Sequence, residues 1–400
     1  MTLAGPIADR LSSPRATALP TPLGVPAAPL GVRDRLAAIR DRLYESAAFR
    51  RWAGRVPVVR NVARARSRAL FDLVAGFAYT QTLAACVRLD LPALLRHEPL
   101  TTAELARRLT LPAEGLERLL RAAAALQLVE QRSGHRWGLG PMGAPLLADP
   151  GLAQMIEHNA LLYDELRDPL ALLRRPSQER GTALSAYWPY VDGARRERLA
   201  GADVSGYSAL MSATVGAVAD EVLDAVSLGG RRHLLDVGGG EGGFVGAAAR
   251  RHPHLALSLF DLPAVAVRAR RRLTEAGLAG RVTVHGGDFQ GDALPKGADV
   301  VSLVRVCLDH DDATVRALLA RVRAALPRGG EVVVAEPFAG VRGAETVGDV
   351  YFGFYLWAMG RGRARRVDEL RALLADAGFR RIRVRPTRYP VQVGVMVGTA

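Results

Sequence analysis

The sequence predicts an α/β fold, with a mostly parallel, Rossmann-like sheet in its second half and an α-rich unit of winged-helix type before it. Three observations carry that expectation. Residues 233–261 read as strand, glycine turn, helix and second strand, closed by an acid at Asp261. From residue 282 onward, short apolar runs alternate with helical stretches, the pattern of parallel strands joined by crossover helices. Residues 65–145 carry helical periodicity and then two short β-like runs around Ser133-Gly134.

The chain has 400 residues, enough for two or three domains, and its 49% apolar content is ordinary for a globular protein. No run of ~18 uninterrupted apolar residues occurs, so no membrane span is expected. The N-terminus lacks an apolar signal core, which favours a cytoplasmic protein. Cys86 and Cys307 lie in apolar segments and read as reduced, buried thiols. Among the histidines only His252 and His254 are close neighbours, so no metal site is expected. The net charge of +14 is uneven: residues 1–70 hold 13 Arg against 4 acids. Such a basic arm suits nucleic acid, anionic lipid or plain solvation.

In chain order, residues 1–30 hold six Pro and little periodicity, and read as a disordered arm. Residues 31–64 form a basic amphipathic segment with Leu36, Ile39, Leu43, Phe49 and Trp52 near helical spacing, suited to a membrane surface or a partner subunit. In the 65–145 unit, Leu70–Val87 is a long apolar helix. Thr101-x-x-Glu104 is a capping box opening a short helix to Leu109. Pro112 opens another, and Val129–Arg132 with Arg136–Leu139 form the wing. A DNA-binding role for that unit meets Glu114 and Glu117 at the start of its recognition helix, where a phosphate needs the opposite charge. Packing and dimerisation are favoured, with no nucleic acid expected. Residues 146–225 read as a helical linker and pocket wall rich in His158, Tyr163, Tyr187, Trp188, Tyr190 and Tyr207.

Residues 226–400 make the sheet domain. Its strands read as Leu234–Val237, Leu255–Phe260, Val282–His285, Asp299–Val306, Glu331–Ala335, Ile382–Arg385 and Val391–Val397. Asp236, Asp261, Asp288, Asp309 and Glu336 all fall at strand carboxyl ends, where such sheets bind ligands. The turn D-V-G-G-G-E-G-G places Asp236 and Glu241 among glycines. Two carboxylates there suit a cationic ligand better than a pyrophosphate. The pattern resembles motif I of S-adenosylmethionine-dependent methyltransferases.

The ordered set L-L-D-V-G-G-G, F-D-L-P (260–263), G-G-D-F (286–289), R-V-C-L-D-H-D-D (305–312) and A-G-F (377–379) resembles the class II small-molecule O-methyltransferases. These pair a winged-helix dimerisation domain with a Rossmann-like methyltransferase domain. The resemblance covers about residue 65 to the C-terminus. A-L-F-D-L-V-A-G-F-A-Y-T-Q (69–81), A-C-V-R-L-D-L and Y-F-G-F-Y-L-W-A-M-G-R-G-R (351–363) are similar to the bacterial acyclic-carotenoid branch, which methylates the tertiary 1-hydroxyl of hydroxyneurosporene or demethylspheroidene.

The resemblance implies S-adenosyl-L-methionine as cofactor. Asp236, Gly238 and Gly240 would lie along its methionine part, Asp261 on the ribose, Leu262, Asp288 and Phe289 around the adenine. Arg305 would replace a family Lys whose own position is Val304. The family's general-base His falls on Leu308, and of two flanking acids one matches Glu336 and the other Ala364. That departure fits an aliphatic alcohol better than a phenol. His310 is then the first candidate to accept the acceptor's proton, with Asp309 and Glu336 as orienting groups and His158 next. His158, Tyr163, Tyr351 and Tyr355 are the expected substrate-pocket residues, within an aromatic stripe that includes Phe352, Phe354 and Trp357. The implied protein is a homodimeric O-methyltransferase of carotenoid biosynthesis. It takes a small apolar hydroxylated substrate and makes peripheral contact with the inner or photosynthetic membrane through its basic N-terminal segment. Methylation of another apolar metabolite (polyketide, quinone or tetrapyrrole) and a DNA-binding regulator with a sensing domain are the alternatives.

Overall fold

A computed structural model describes residues 31–53, 55–176, 181–187 and 205–400. The arm expected at 1–30 and the aromatics Trp188 and Tyr190 lie outside the described residues, as does the side chain of Tyr207. The chain divides into two compact units, Met1–Phe77 and Ala78–Ala400.

In the first unit, α1 (Val32–Glu45) starts after Gly31, whose N–H donates to Asp34 Oδ2 at 3.2 Å. It ends at Ser46, and α2 (Ala47–Ala53) follows. The rings of Tyr44, Phe49 and Trp52 form a chain of contacts at 6.2 and 5.5 Å. The Arg66 guanidinium lies 4.6 Å above Tyr44, so a cation–π contact ties α1 to the next helix. That helix, α3 (Pro57–Arg88), opens on a proline, which tolerates a first-turn position because its missing N–H would have no partner there. It runs unbroken through residue 65, where the sequence suggests a boundary. The expectation of no membrane-length helix is also revised. By length and composition Val59–Arg88 is long and apolar enough to cross a bilayer, because Asp72 and the polar Thr80, Gln81 and Thr82 interrupt residues 70–87 without outweighing their apolar neighbours, which a count of uninterrupted residues misses.

The second unit begins with the rest of α3 and the short α4 (Leu91–Leu94). β1 (Leu100–Thr101) leads into α5 (Thr102–Leu109), where the capping box forms: Thr101 Oγ1 accepts from Glu104 N and the Glu104 carboxylate accepts from Thr101 N. α6 (Ala113–Ala125) buries Leu116, Leu120 and Ala123. β2 (Val129–Arg132) and β3 (Arg136–Leu139) pair antiparallel as the wing, with β1 on the other side of β3. Trp137 Nε1 donates to Thr102 Oγ1, which donates to Glu117, so that acid is taken up inside the unit. α7 (Ala144–Ala148), α8 (Pro150–Glu165), α9 (Pro169–Arg174), α10 (Ala183–Tyr187) and α11 (Ser205–Ala225) lead to the sheet.

The sheet elements are β4 (His233–Val237), α12 (Gly243–Arg251), β5 (Ala256–Asp261), α13 (Pro263–Glu275), β6 (Val282–Gly286), β7 (Val300–Val304), α14 (Asp312–Ala325), β8 (Glu331–Glu336), α15 (Phe352–Met359), α16 (Val367–Asp376), β9 (Arg380–Arg385) and β10 (Gly394–Thr399). Their order is β6-β5-β4-β7-β8-β10-β9, parallel except where β10 runs against β8 and β9. Neighbouring strand residues face opposite layers: Leu234 and Val300 pack with α11, α12 and α13, whereas Leu235 and Val301 pack with α14 and α16. Strand order reverses between β4 and β7, which opens a crevice at their carboxyl ends.

Candidate active site

The glycine turn after β4 forms one wall of that crevice. Gly238, Gly240 and Gly242 have φ of 68, 57 and 86°, a left-handed conformation that side chains resist. A Cβ on Gly239 would lie 2.5 Å from Asp236 Oδ2, and one on Gly238 2.8 Å from Val306 Cγ2. Asp236 is buried. Ser302 Oγ on β7 donates to its Oδ1 at 2.6 Å, while Oδ2 has no partner among the described residues. Burial, together with the nearby Asp261 charge, pushes Asp236 up to about 7. Asp261 accepts from Gly240 N at 2.8 Å and from Leu262 N at 2.7 Å, so the acid ending β5 holds the turn shut. Desolvation outweighs those two bonds and pushes it up to about 6. Glu241 does not face the crevice as its place in the motif suggests. Arg268 and Arg272 on α13 hold it at 2.7 and 2.9 Å, which leaves Asp236 as the acid of the turn.

Past β6, Asp288 Oδ1 accepts from Gln290 N at 2.8 Å, which turns the chain and presents Phe289. The His310 ring stands edge-on to Phe289 at 5.3 Å. His310 therefore belongs to the Phe289 side of the crevice.

The ends of β7 and β8 supply the other wall. Strand β7 stops at Val304, two residues earlier than the apolar run suggests, because Arg305 takes a φ of 59° and its N–H donates to Ala335 O at 2.7 Å. Its guanidinium donates to Thr214 Oγ1 at 2.8 Å. A short turn, Cys307–Asp309, then carries the chain across the top of β8. Glu336 is wholly buried there and accepts from Leu308 N at 2.8 Å. Burial pushes Glu336 up to about 7 against the pull of Arg365. Asp309 is half-buried and also pushed up to about 7 by desolvation, with Arg305 opposing and Glu336 adding to the shift. The fully buried Arg365 donates to Asp312 Oδ1 (2.9 Å), Cys307 O and His310 O (both 2.6 Å), which pins the 307–312 segment.

Leu308, at the position of the family base, packs into an apolar cluster with Leu162, Leu172, Leu184, Tyr355, Leu356 and Met359. Polar atoms edge that cluster. His158 Nε2 meets Tyr355 OH at 2.7 Å, and Tyr351 OH donates to Asn159 Oδ1 at 2.9 Å. The Tyr187 ring lies 4.6 Å from His158, and Tyr351 and Tyr355 stack at 5.7 Å. Burial holds His158 neutral, lowered to about 4, and pushes Tyr351 up to about 12. The Tyr163 hydroxyl lies near enough to Tyr351 to add to that rise. A π-helical turn, Thr346–Tyr351, precedes α15 and sets the phase of these rings. His158, Tyr163, Tyr351 and Tyr355 thus gather in one cluster, with Asn159 and Tyr187 joining them.

Comparison with known proteins bears on this arrangement. Residues 71–149 match the O-methyltransferase dimerisation domain and residues 193–380 the O-methyltransferase domain. A demethylspheroidene O-methyltransferase of Cereibacter sphaeroides is 44% identical over 359 residues, 89% of this chain and 93% of the relative. The chain belongs to the O-methyltransferase family. A second demethylspheroidene O-methyltransferase, from Rhodobacter capsulatus, is 39% identical over 86% of the methyltransferase and 84% of its own length. Among solved structures, CalO1, a methyltransferase of calicheamicin biosynthesis in its SAH-bound form, superposes with a TM-score of 0.70 at 27% identity, covering 84% of this chain and 98% of its own. The methyltransferase uses S-adenosyl-L-methionine, and its dimerisation domain supports a homodimer acting on a small molecule. The crevice fits that cofactor: a buried carboxylate oxygen with no partner among the described residues suits a cation, and a Cβ on Gly238 or Gly239 would collide with Val306 or Asp236.

Proposed function

We propose that the methyltransferase methylates the tertiary 1-hydroxyl of an acyclic carotenoid of the hydroxyneurosporene or demethylspheroidene type, in carotenoid biosynthesis. The observation that carries this is Leu308, buried at the family-base position in an apolar cluster with Tyr355, Leu356 and Met359. A hydrocarbon there extends an oily wall and puts no imidazole at that position to ionise a phenol, while burial keeps the nearby His158 neutral and Tyr355 takes up its Nε2. The two demethylspheroidene O-methyltransferase relatives support the same acceptor class.

In this reading Gly238 and Gly240 admit the methionine part of the cofactor, and Asp236 meets its positive end. Asp261 uses the lone pairs left by its two backbone bonds for the ribose diol. Leu262, Asp288 and Phe289 enclose the adenine, with His310 closing it edge-on, while Arg305 stands in for the family Lys. When bound, the cofactor supplies an electrophilic methyl group carried on a sulfonium. Tyr163, Tyr351, Tyr355 and His158 line the acceptor channel, and holding the hydroxyl in line removes much of the entropic barrier. Asp309 receives the hydroxyl proton. A carboxylate pushed up to about 7 exchanges protons readily near neutrality. Glu336 positions the turn through Leu308 N. The domain reading is a dimerising unit at 65–145, an acceptor wall at 146–225 and a cofactor domain from 226. The cytoplasmic enzyme works at the membrane face through residues 31–64.

Methyl-labelled cofactor offered with a detergent-dispersed 1-hydroxylated acyclic carotenoid or with a catechol tests the acceptor. Label in the carotenoid alone is the expected result, and label in the catechol alone overturns the assignment.

A further inference from the structure

The helix α1 has no buried side chain. Its apolar residues Val32, Leu36, Ile39 and Leu43 are 75, 62, 56 and 45% exposed. At about 100° per residue these four fall on one narrow stripe. Arg33 and Arg40 then fall along one flank of the stripe and Arg35 and Arg42 along the other. Asp34, Asp41 and Glu45 share the opposite face. Arg40 also pairs with its neighbour Asp41 at 2.7 Å, an exposed contact that leaves the guanidinium in solvent. Residues 31–70 together hold 11 Arg against 3 acids.

From this we infer that α1 lies in the plane of an anionic bilayer, its stripe among the acyl chains and its flanking arginines on lipid phosphates. Protein interfaces lose charge from their cores, whereas arginines bordering both edges of an apolar stripe, with every acid turned away, match a negative surface. Long arginine stems reach upward from the stripe to the headgroup level. The second copy of the chain already has a surface elsewhere, because the matched dimerisation domain starts at residue 71, beyond α1. Trp52, 52% exposed and fixed to Phe49, is an amphipathic ring suited to the same interface. The inference deepens the carotenoid reading, since so apolar an acceptor is dissolved in a bilayer, but its test does not depend on that acceptor.

The test uses the full chain with two vesicle types, phosphatidylcholine alone and phosphatidylcholine with roughly a quarter phosphatidylglycerol. Sedimentation should show binding to the anionic vesicles at least tenfold tighter than to the neutral ones, since each arginine near such a surface is worth a factor of about five. Added salt should weaken it. Leu36→Asp with Leu43→Asp should remove binding while the protein stays dimeric by sedimentation velocity and still uses a detergent-dispersed acceptor. Equal binding to both vesicles, or none to either by the unaltered chain, overturns the inference. So does a variant that becomes monomeric, which would give the stripe to the second copy. Loss of transfer to dispersed carotenoid by the unaltered chain, with vesicle binding intact, would instead overturn the acceptor assignment.

Discussion

Glu336 Oε2 accepts a hydrogen bond from Leu308 N at 2.8 Å, while its Oε1 is buried with no partner among the described residues. The carboxyl thus supports a main-chain turn at the point where the family pattern places an imidazole. A group pushed up to about 7 by burial needs no charge for that task. Glu336→Gln should therefore fold with a stability within about 1 kcal/mol of the parent. Glu336→Ala leaves the Leu308 N–H unpaired in the core and should cost roughly 1–3 kcal/mol. Urea unfolding separates the two, and equal losses would exclude a hydrogen-bonding role.

Asp309 and His310 are adjacent in sequence and differ in surroundings. Asp309 faces Arg305, and His310 stands against Phe289. Asp309→Asn should lower kcat by about a hundredfold or more, the usual loss for a general base, whereas His310→Ala should chiefly raise the KM for the cofactor. Because the carboxylate form prevails only above about 7, wild-type kcat/KM should rise with pH through that value and level off. The reverse allocation between kcat and KM would return the proton to His310.

Four carboxyls of the crevice sit above their ordinary range, Asp236, Asp309 and Glu336 at about 7 and Asp261 at about 6. Unfolded, they ionise near roughly 4, so the fold binds more protons than the open chain between those values. The stability that these groups contribute is complete below about 4 and is lost as pH rises through 6 to 7. A cationic cofactor favours ionised Asp236 and Asp261. Its affinity and the Tm rise that it produces should accordingly be greater at pH about 8 than at about 6. Calorimetry and melting curves with and without S-adenosyl-L-methionine measure both, and an affinity that falls with pH would contradict the assignment.

Arg365 donates to Asp312 and to the carbonyls of Cys307, His310 and Arg363, with no solvent contact. Removing one side of such a buried arrangement typically costs about 3–5 kcal/mol, the loss expected for Arg365→Leu in thermal unfolding. Arg365→Lys should recover little, since an ammonium cannot span Asp312 and three carbonyls in one plane.

Much of the turn and strand geometry around Asp236 and Asp261 is legible because its signals are local. Strand, glycines, helix and a distant acid are spaced by backbone geometry, and Asp261 meets Gly240 N accordingly. The wing was equally readable, since a capping box and a Ser-Gly turn are short-range features. What stayed hidden depends on contacts between remote segments: Arg305 with Thr214, Tyr351 with Asn159, and Arg365 with Cys307 O. No periodicity encodes these pairs. Glu241 misled for the same reason, because its arginine partners lie a helix away on α13. Ser302, a lone hydroxyl inside the apolar strand V-V-S-L-V, was the one visible hint of the bond to Asp236.

The segment after α15 is stitched to the turn beyond β7: Arg363 N donates to Leu308 O at 3.0 Å, and Gly362 leaves no space for a Cβ against that same carbonyl. Frame and lining therefore share a seam. Backbone bonds and a buried guanidinium hold the turn at 307–312 from one side, while Leu308 leans on Tyr355, Leu356 and Met359 from the other. A protein engineer, or a diverging lineage, who recuts the rings for a longer, shorter or stiffer guest must keep the residues that Leu308 rests on.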